Sequence, residues 1–111
     1  MPRATIVVPA YNVAATLGDT LASLCAQTFR DLEIVVIDDG STDRSVAVAR
    51  SLGDPRIRVV QQPNRGLAGA RNSGIAHARG DFIGFCDADD LWRPEKLEAH
   101  VRHLMANPTV G

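Results

Sequence analysis

Four short apolar runs recur along the chain: Thr5–Val8, Glu33–Ile37, Ile57–Val60 and Phe82–Cys86. Each is followed by a segment with helical spacing. The runs are rich in β-branched and aromatic residues and are mostly continuous rather than alternating, the pattern of strands covered on both faces of a parallel sheet. Leu17, Leu21, Leu24 and Cys25 fall at i, i+4, i+7 and i+8, one apolar stripe of a first helix. Ser41 or Thr42 can N-cap a second helix with Val46, Ala49 and Leu52 on its inner face. Residues 66–78 make a third helix of small residues, with Leu67, Ala70, Gly74 and Ala78 facing a sheet. A fourth starts at Pro94, a residue suited to a first helical position, and its stripe is Leu97, Val101, Leu104 and Met105. The order β-α-β-α-β-α-β-α predicts an α/β fold: a mostly parallel sheet of alternating β-α units with right-handed crossovers.

Composition narrows the class. At 111 residues the chain is one domain, 1–111. Twelve Lys and Arg against thirteen Asp and Glu give a net charge of −1, so bulk charge offers no attraction to nucleic acid or an anionic membrane. Two cysteines, Cys25 and Cys86, are too few for a disulfide framework and read as reduced thiols of a cytoplasmic protein. No apolar run approaches the roughly 20 residues that span a bilayer, and the N-terminus enters a strand directly, without a signal peptide. The last residues, Asn107–Gly111, resemble the lead-in to another strand, so an incomplete domain is expected. The alternative is a small complete domain with a loose tail.

The polar residues gather where the strands end. Pro9-Ala10-Tyr11-Asn12 follows the first run and Asp38-Asp39-Gly40-Ser41 the second. Gln62-Pro63-Asn64-Arg65-Gly66 follows the third and Asp87-Ala88-Asp89-Asp90 the fourth. In an open parallel sheet these four segments share one edge, where ligands bind at the point of strand-order reversal. Asp87 and Asp89, spaced i and i+2, can turn two oxygens toward one hard cation. Mg²⁺ or Mn²⁺ fits such a sparse oxygen set, because either keeps positions for water and phosphate oxygens. An ordinary Asp-rich turn explains the same residues without a metal. Asp38-Asp39-Gly40-Ser41 also has a plain reading as a tight turn with a cap, or an Asp there can accept hydrogen bonds from a nucleoside. Tyr11 offers a flat ring to a base, or is simply a half-buried aromatic. Arg71 can reach a phosphate or a base edge, or is a solvated helix residue. His77, His100 and His103 sit on helices away from this edge.

Taken in order, these segments resemble the N-terminal part of a family 2 glycosyltransferase with the GT-A fold. Ile6-Val7-Val8-Pro9-Ala10-Tyr11-Asn12 resembles the opening strand and loop, and Ser23-Leu24 with Gln27-Thr28-Phe29 resembles the end of the first helix. Val36 to Asp43 resembles the nucleotide loop. Asn64-Arg65-Gly66, Ala70-Arg71-Asn72 and Gly80-Asp81-Phe82-Ile83 follow in the expected order. Asp87-Ala88-Asp89-Asp90, with Trp92, Pro94 and Lys96-Leu97, resembles the DXD motif and its trailing helix. The resemblance implies a nucleotide-sugar donor, most often a UDP-sugar, a divalent cation (Mn²⁺ or Mg²⁺), and inverting transfer to a glycan, lipid or small-molecule acceptor that the chain does not identify. By that analogy Pro9 and Tyr11 frame the base, Asp39 accepts from its imide and Arg71 contacts the nucleotide. Asp87 lies near ribose and metal, and Asp89 ligates the metal. The general base is expected beyond residue 111, which leaves this chain as the donor half, inactive by itself, with an exposed sheet edge that favours self-association. A cytoplasmic location is expected, with the longer parent at the inner face of a membrane left open.

Two other classes fit parts of the pattern. A dinucleotide-binding unit would use Asp38 on a ribose, but residues 9–16 lack the Gly-x-Gly-x-x-Gly turn. A receiver-like or other non-enzymatic interaction domain would use the acidic clusters as a phosphoacceptor site. It needs its acid pair after the first strand, and here the pairs follow the second and fourth.

Overall fold

The computed structural model describes residues 2–106. The strand lead-in expected at residues 107–111 lies outside the described residues. The chain alternates as anticipated: β1 (Ala4–Ala10), α1 (Ala14–Cys25), β2 (Leu32–Asp39), α2 (Ser45–Ser51), β3 (Ile57–Gln62), α3 (Gly66–His77), β4 (Phe82–Phe85) and α4 (Lys96–Ala106). The four strands pair in parallel in the order β3-β2-β1-β4. Strand order therefore reverses between β1 and β4, and the crevice at a carboxyl edge opens there.

Strand alternation divides the sheet into two faces. Ile6, Val8, Ile34 and Val36 pack with Leu17, Leu21 and Leu24 of α1, Ala49 of α2, and Trp92, Leu97 and Val101 around α4. Val7, Val35 and Ile37 pack on the opposite face with Ala70 of α3. Burial on both faces is why β1 and β2 read as unbroken apolar runs. Gly74 lets α3 lie directly on β1, because a β-carbon there would overlap the Val7 side chain.

Several local expectations are corrected. Ser41 and Thr42 do not cap α2. Its first N–H, from Ser45, donates to Asp43 Oδ1 at 2.9 Å, because Ser41 and Thr42 are engaged by Asn12 across the loop. The inner face of α2 carries Ser45 and Ala49, with Val48 and Leu52 packed against the core in place of Val46. Leu67 is 55% exposed and Met105 60% exposed, so neither belongs to an inner stripe. Pro94 precedes α4 in a turn, and Cys86 is buried just past the end of β4, where its N–H donates to the Val7 carbonyl at 3.0 Å.

The amino edge is closed by structural contacts. Glu33, 6% exposed, accepts from the Thr5 hydroxyl, the Arg79 N–H and the Arg58 guanidinium. Burial alone would raise its pKa. The Thr5, Arg79 and Arg58 donors outweigh that and hold it below the ordinary carboxylate value. No helix among the described residues is long and apolar enough to cross a membrane.

Candidate nucleotide and metal site

A cavity of about 250 Å³ opens at the carboxyl edge, lined by Pro9 and Ala10 from β1, Tyr11 just after it, Asp39 from β2, and Asn64, Gly66, Leu67 and Ala70 from the β3–α3 region. Leu67 is exposed because it lines this opening. Tyr11 is 51% exposed, so its ring presents a face to solvent rather than to the core.

Asp38 and Asp39 are adjacent in sequence but face opposite sides of the sheet. Asp39 continues the Val35–Ile37 face toward α3 and reaches the cavity, whereas Asp38 does not line it. Asp39 Oδ1 accepts from Gln62 Nε2 at 2.9 Å and from the Arg65 N–H at 2.8 Å, and Oδ2 accepts from the Gly66 N–H at 3.0 Å. The Asp39 carboxylate therefore fastens the start of α3, a structural role that differs from the tight turn with a Ser41 cap. A carboxylate has about four acceptor positions, and three of them are filled here. Burial would raise the Asp39 pKa; the Gln62 amide and the two backbone N–H groups reverse that and hold it below the ordinary value. The acceptor is therefore ionised at neutral pH. Gly40 next to it has φ +83°, and a β-carbon there would press on the Asn64 backbone nitrogen at 2.9 Å. The β2–α2 and β3–α3 loops can approach this closely only at a glycine.

Arg71 sits on α3 and does not line the cavity. Its guanidinium carbon stands 5.9 Å from the centroid of the Phe85 ring, at the end of β4. It lies on the side of the crevice that leads into the acidic turn.

Asp87 and Asp89 flank the buried Ala88 in that turn, and both are exposed. The Asp90 N–H closes the turn on the Asp87 carbonyl at 3.0 Å. Neither the Asp87 nor the Asp89 carboxylate is held by a hydrogen bond or ion pair among the described residues. Two unpartnered, oxygen-only donors fit a hard cation that takes its remaining ligands from water or phosphate. They do not amount to a closed site, because among the described residues no three His, Cys, Asp or Glu side chains converge.

The acidic turn is held by Thr16 and Thr20, which the sequence did not single out, and by Ser23 and Gln27, which it marked only as part of the resemblance at the end of the first helix. The Thr16 and Thr20 hydroxyls both donate to the Ala88 carbonyl, at 2.8 and 2.9 Å. Ser23 Oγ accepts from the Trp92 N–H, and the fully buried Gln27 bonds the Arg93 carbonyl and the Leu97 N–H. Thr16, Thr20, Ser23 and Gln27 fall at i, i+4, i+7 and i+11. This is a polar stripe with the same period as the leucine stripe on α1. That period was the available signal.

Because β1 lies between β2 and β4, Tyr11 stands between Asp39 on one side and Asp87 and Asp89 on the other, all on one edge. Such an edge can stack a flat ring, accept one hydrogen bond from it and offer two carboxylates to a cation.

Comparison with known proteins follows the same line. The family model described as Glycosyl transferase family 2 matches residues 5–111. The succinoglycan biosynthesis protein ExoO of Rhizobium meliloti is 44% identical over 107 residues, covering 96% of this chain and 31% of that protein. The crystal structure of S. aureus TarS 1–349 in complex with UDP-GlcNAc superposes with a TM-score of 0.87 at 29% identity, covering 94% of this chain and 31% of that one. The mannosyltransferase PcManGT from Pyrobaculum calidifontis, in complex with GDP-Man and Mn²⁺, gives 0.86 at 33% identity, covering 97% and 33%. The chain spans about a third of the length of these relatives.

Proposed function

The chain belongs to glycosyl transferase family 2, and from that premise we propose that residues 1–111 form the donor-nucleotide half of an inverting, metal-assisted glycosyltransferase. Its architecture is that of GT-A glycosyltransferases, over the third of their length it covers. Family membership sets aside the receiver-like and dinucleotide-binding alternatives.

The observation that carries the donor reading is the cavity between Tyr11 and Asp39, with one carboxylate acceptor position left unfilled. A uracil ring stacked on Tyr11 and edged by Pro9 would offer its imide N–H to Asp39. That favours a UDP-sugar, in keeping with the UDP-GlcNAc complex of TarS, although PcManGT carries GDP-Man. Arg71 supplies a positive charge to the nucleotide, at its base edge or its phosphates. Asp87 lies toward the ribose, and Asp87 and Asp89 together hold Mn²⁺ or Mg²⁺. When bound, the cation supplies Lewis-acid stabilisation of the charge that develops on the departing diphosphate. Ionised Asp39 orients the base, the Tyr11 ring shields one of its faces, and the turn pinned by α1 fixes where the two carboxylates stand. The chain spans about a third of the length of its relatives, and on this reading the part it covers binds donor without turnover, the general base and acceptor site being supplied by the rest of such a domain. The acceptor is a glycan, lipid or small molecule. Two free cysteines suit a reducing, cytoplasmic setting.

Isothermal titration of UDP in the presence of Mn²⁺ tests this reading. Saturable binding that weakens in Asp89→Ala is expected. Absence of binding, or equal binding by Asp89→Ala, overturns it.

A further inference from the structure

Asn12 adopts φ +52°, a left-handed conformation that asparagine tolerates better than most residues. In that conformation its side chain turns from the β1–α1 loop to the β2–α2 loop. Asn12 Oδ1 accepts from the Thr42 N–H at 2.8 Å and from the Asp43 N–H at 3.3 Å. The exchange is reciprocal. The Asn12 N–H donates to Ser41 Oγ, the Val13 N–H to Ser45 Oγ, and the Ala14 N–H to Asp43 Oδ2, at 3.0, 3.0 and 3.1 Å. The loop that follows Asp39, with the first residue of α2, therefore satisfies the N–H groups at the start of α1, which no helix can satisfy internally. Tyr11, next to Asn12, and Asp39, two residues before Ser41, are the two walls of the cavity.

We propose that Asn12 is a positioning residue. Its side-chain carbonyl straps the Tyr11 wall to the Asp39 wall and so holds the base cleft at its working width before any nucleotide arrives. This rests on the nucleotide reading above. Tyr11 is half exposed and gets no such restraint from core packing. Without the strap, nucleotide binding must also order the loop. Fixing one freed residue lowers affinity about tenfold.

The test uses Asn12→Gly, which keeps the left-handed backbone accessible and deletes the acceptor, and Asn12→Asp, which restores an acceptor at the same place. Folding of each is verified by far-UV circular dichroism. Asn12→Gly is expected to bind UDP about tenfold more weakly than the wild type, and Asn12→Asp within about threefold of it. A general structural defect would not be rescued in this way. Wild-type affinity in Asn12→Gly, or an equal loss in Asn12→Asp, overturns the proposal. Should Asn12→Gly fail to fold, Ser41→Ala removes the reciprocal acceptor from the other loop and carries the same comparison. The chain has a single tyrosine, so the Tyr11 ring protons give an independent NMR readout. If the wild type binds no UDP, the nucleotide reading fails first. The strap is then judged on those protons alone: sharper, more mobile ring signals in Asn12→Gly support it, and unchanged relaxation overturns it.

Discussion

Replacing Asp39 by Asn is isosteric, yet the geometry makes it costly. Oδ1 is shared by Gln62 Nε2 and the Arg65 N–H, and Oδ2 receives the Gly66 N–H. The residue is only 4% exposed, so water cannot take over these roles. An asparagine that keeps its oxygen toward Gln62 and Arg65 turns its amide NH₂ toward the Gly66 N–H, donor against donor. Two charge-assisted bonds become neutral, losing about 1 kcal/mol each, and the third is lost. The Gly66 N–H keeps a longer bond to Asn64 Oδ1 at 3.2 Å, which softens that last loss. The sum is about 2–4 kcal/mol of folding stability. Urea unfolding followed by far-UV circular dichroism measures it, with both proteins fitted at a common slope. Calorimetric titration of UDP into Asp39→Asn should show binding lost as well, because the position left for the imide now carries a donor. A stability change below about 0.5 kcal/mol, the range of ordinary surface substitutions, would refute the claim that this carboxylate fastens α3 to the cavity wall.

Thr20→Val should weaken Mn²⁺ binding, read by electron paramagnetic resonance of the free ion, while Thr20→Ser should not, since the Ala88 carbonyl needs the hydroxyl and not the methyl group. Equal behaviour of the two variants would separate α1 from the acidic turn. Glu33, Asp39 and Asp43 all have lowered pKa values: burial raises the first two, but their hydrogen bonds outweigh it, and the Ser45 hydroxyl leads the lowering of Asp43. A lowered folded pKa contributes stability that is complete above the unfolded carboxylate value, about 4, and is lost as pH falls through the folded one. The acid side of a melting-temperature profile should therefore be flat down to about pH 4.5 and fall below it; a fall beginning near pH 6 would contradict this. Ile83 and Phe85 on edge strand β4 are each 41% exposed, and such an edge invites pairing. Light scattering at rising micromolar concentration should show self-association, and a monomer mass throughout would count against it.

How much of this was legible in the sequence follows from what periodicity can carry. The strands of β1 and β2 were plain because burial on both faces leaves Ile6–Val8 and Ile34–Ile37 without a polar interruption. The Leu17, Leu21 and Leu24 stripe was equally plain. Ser23 and Gln27 stand out in the sequence only by resemblance, and the stripe they form with Thr16 and Thr20 is not legible there, because threonine and serine on a helix look like a solvent face until a second chain segment is laid against them. Alternation along β2 could have separated Asp38 from Asp39, since only Asp39 shares a face with Val35 and Ile37. Assigning Ser41 and Thr42 to the cap of α2 failed for a different reason: Asn12, 29 residues from Ser41, competes for the same loop, and nothing local announces such a long-range partner. Arg71 stands out in the sequence by its charge, and its stacking on Phe85 depends on the β1–β4 pairing that only the folded sheet defines.

The central claim is that one edge of this sheet holds a nucleoside diphosphate between a base cleft and an acidic turn. Amide NMR of the chain with UDP, then with Mn²⁺ added, tests it most directly. UDP should shift the signals of Ala10, Tyr11, Asp39 and residues 64–67, and manganese should then broaden residues 87–90 first. Shifts confined to the β4 edge, or broadening centred on His100 and His103, would contradict the account.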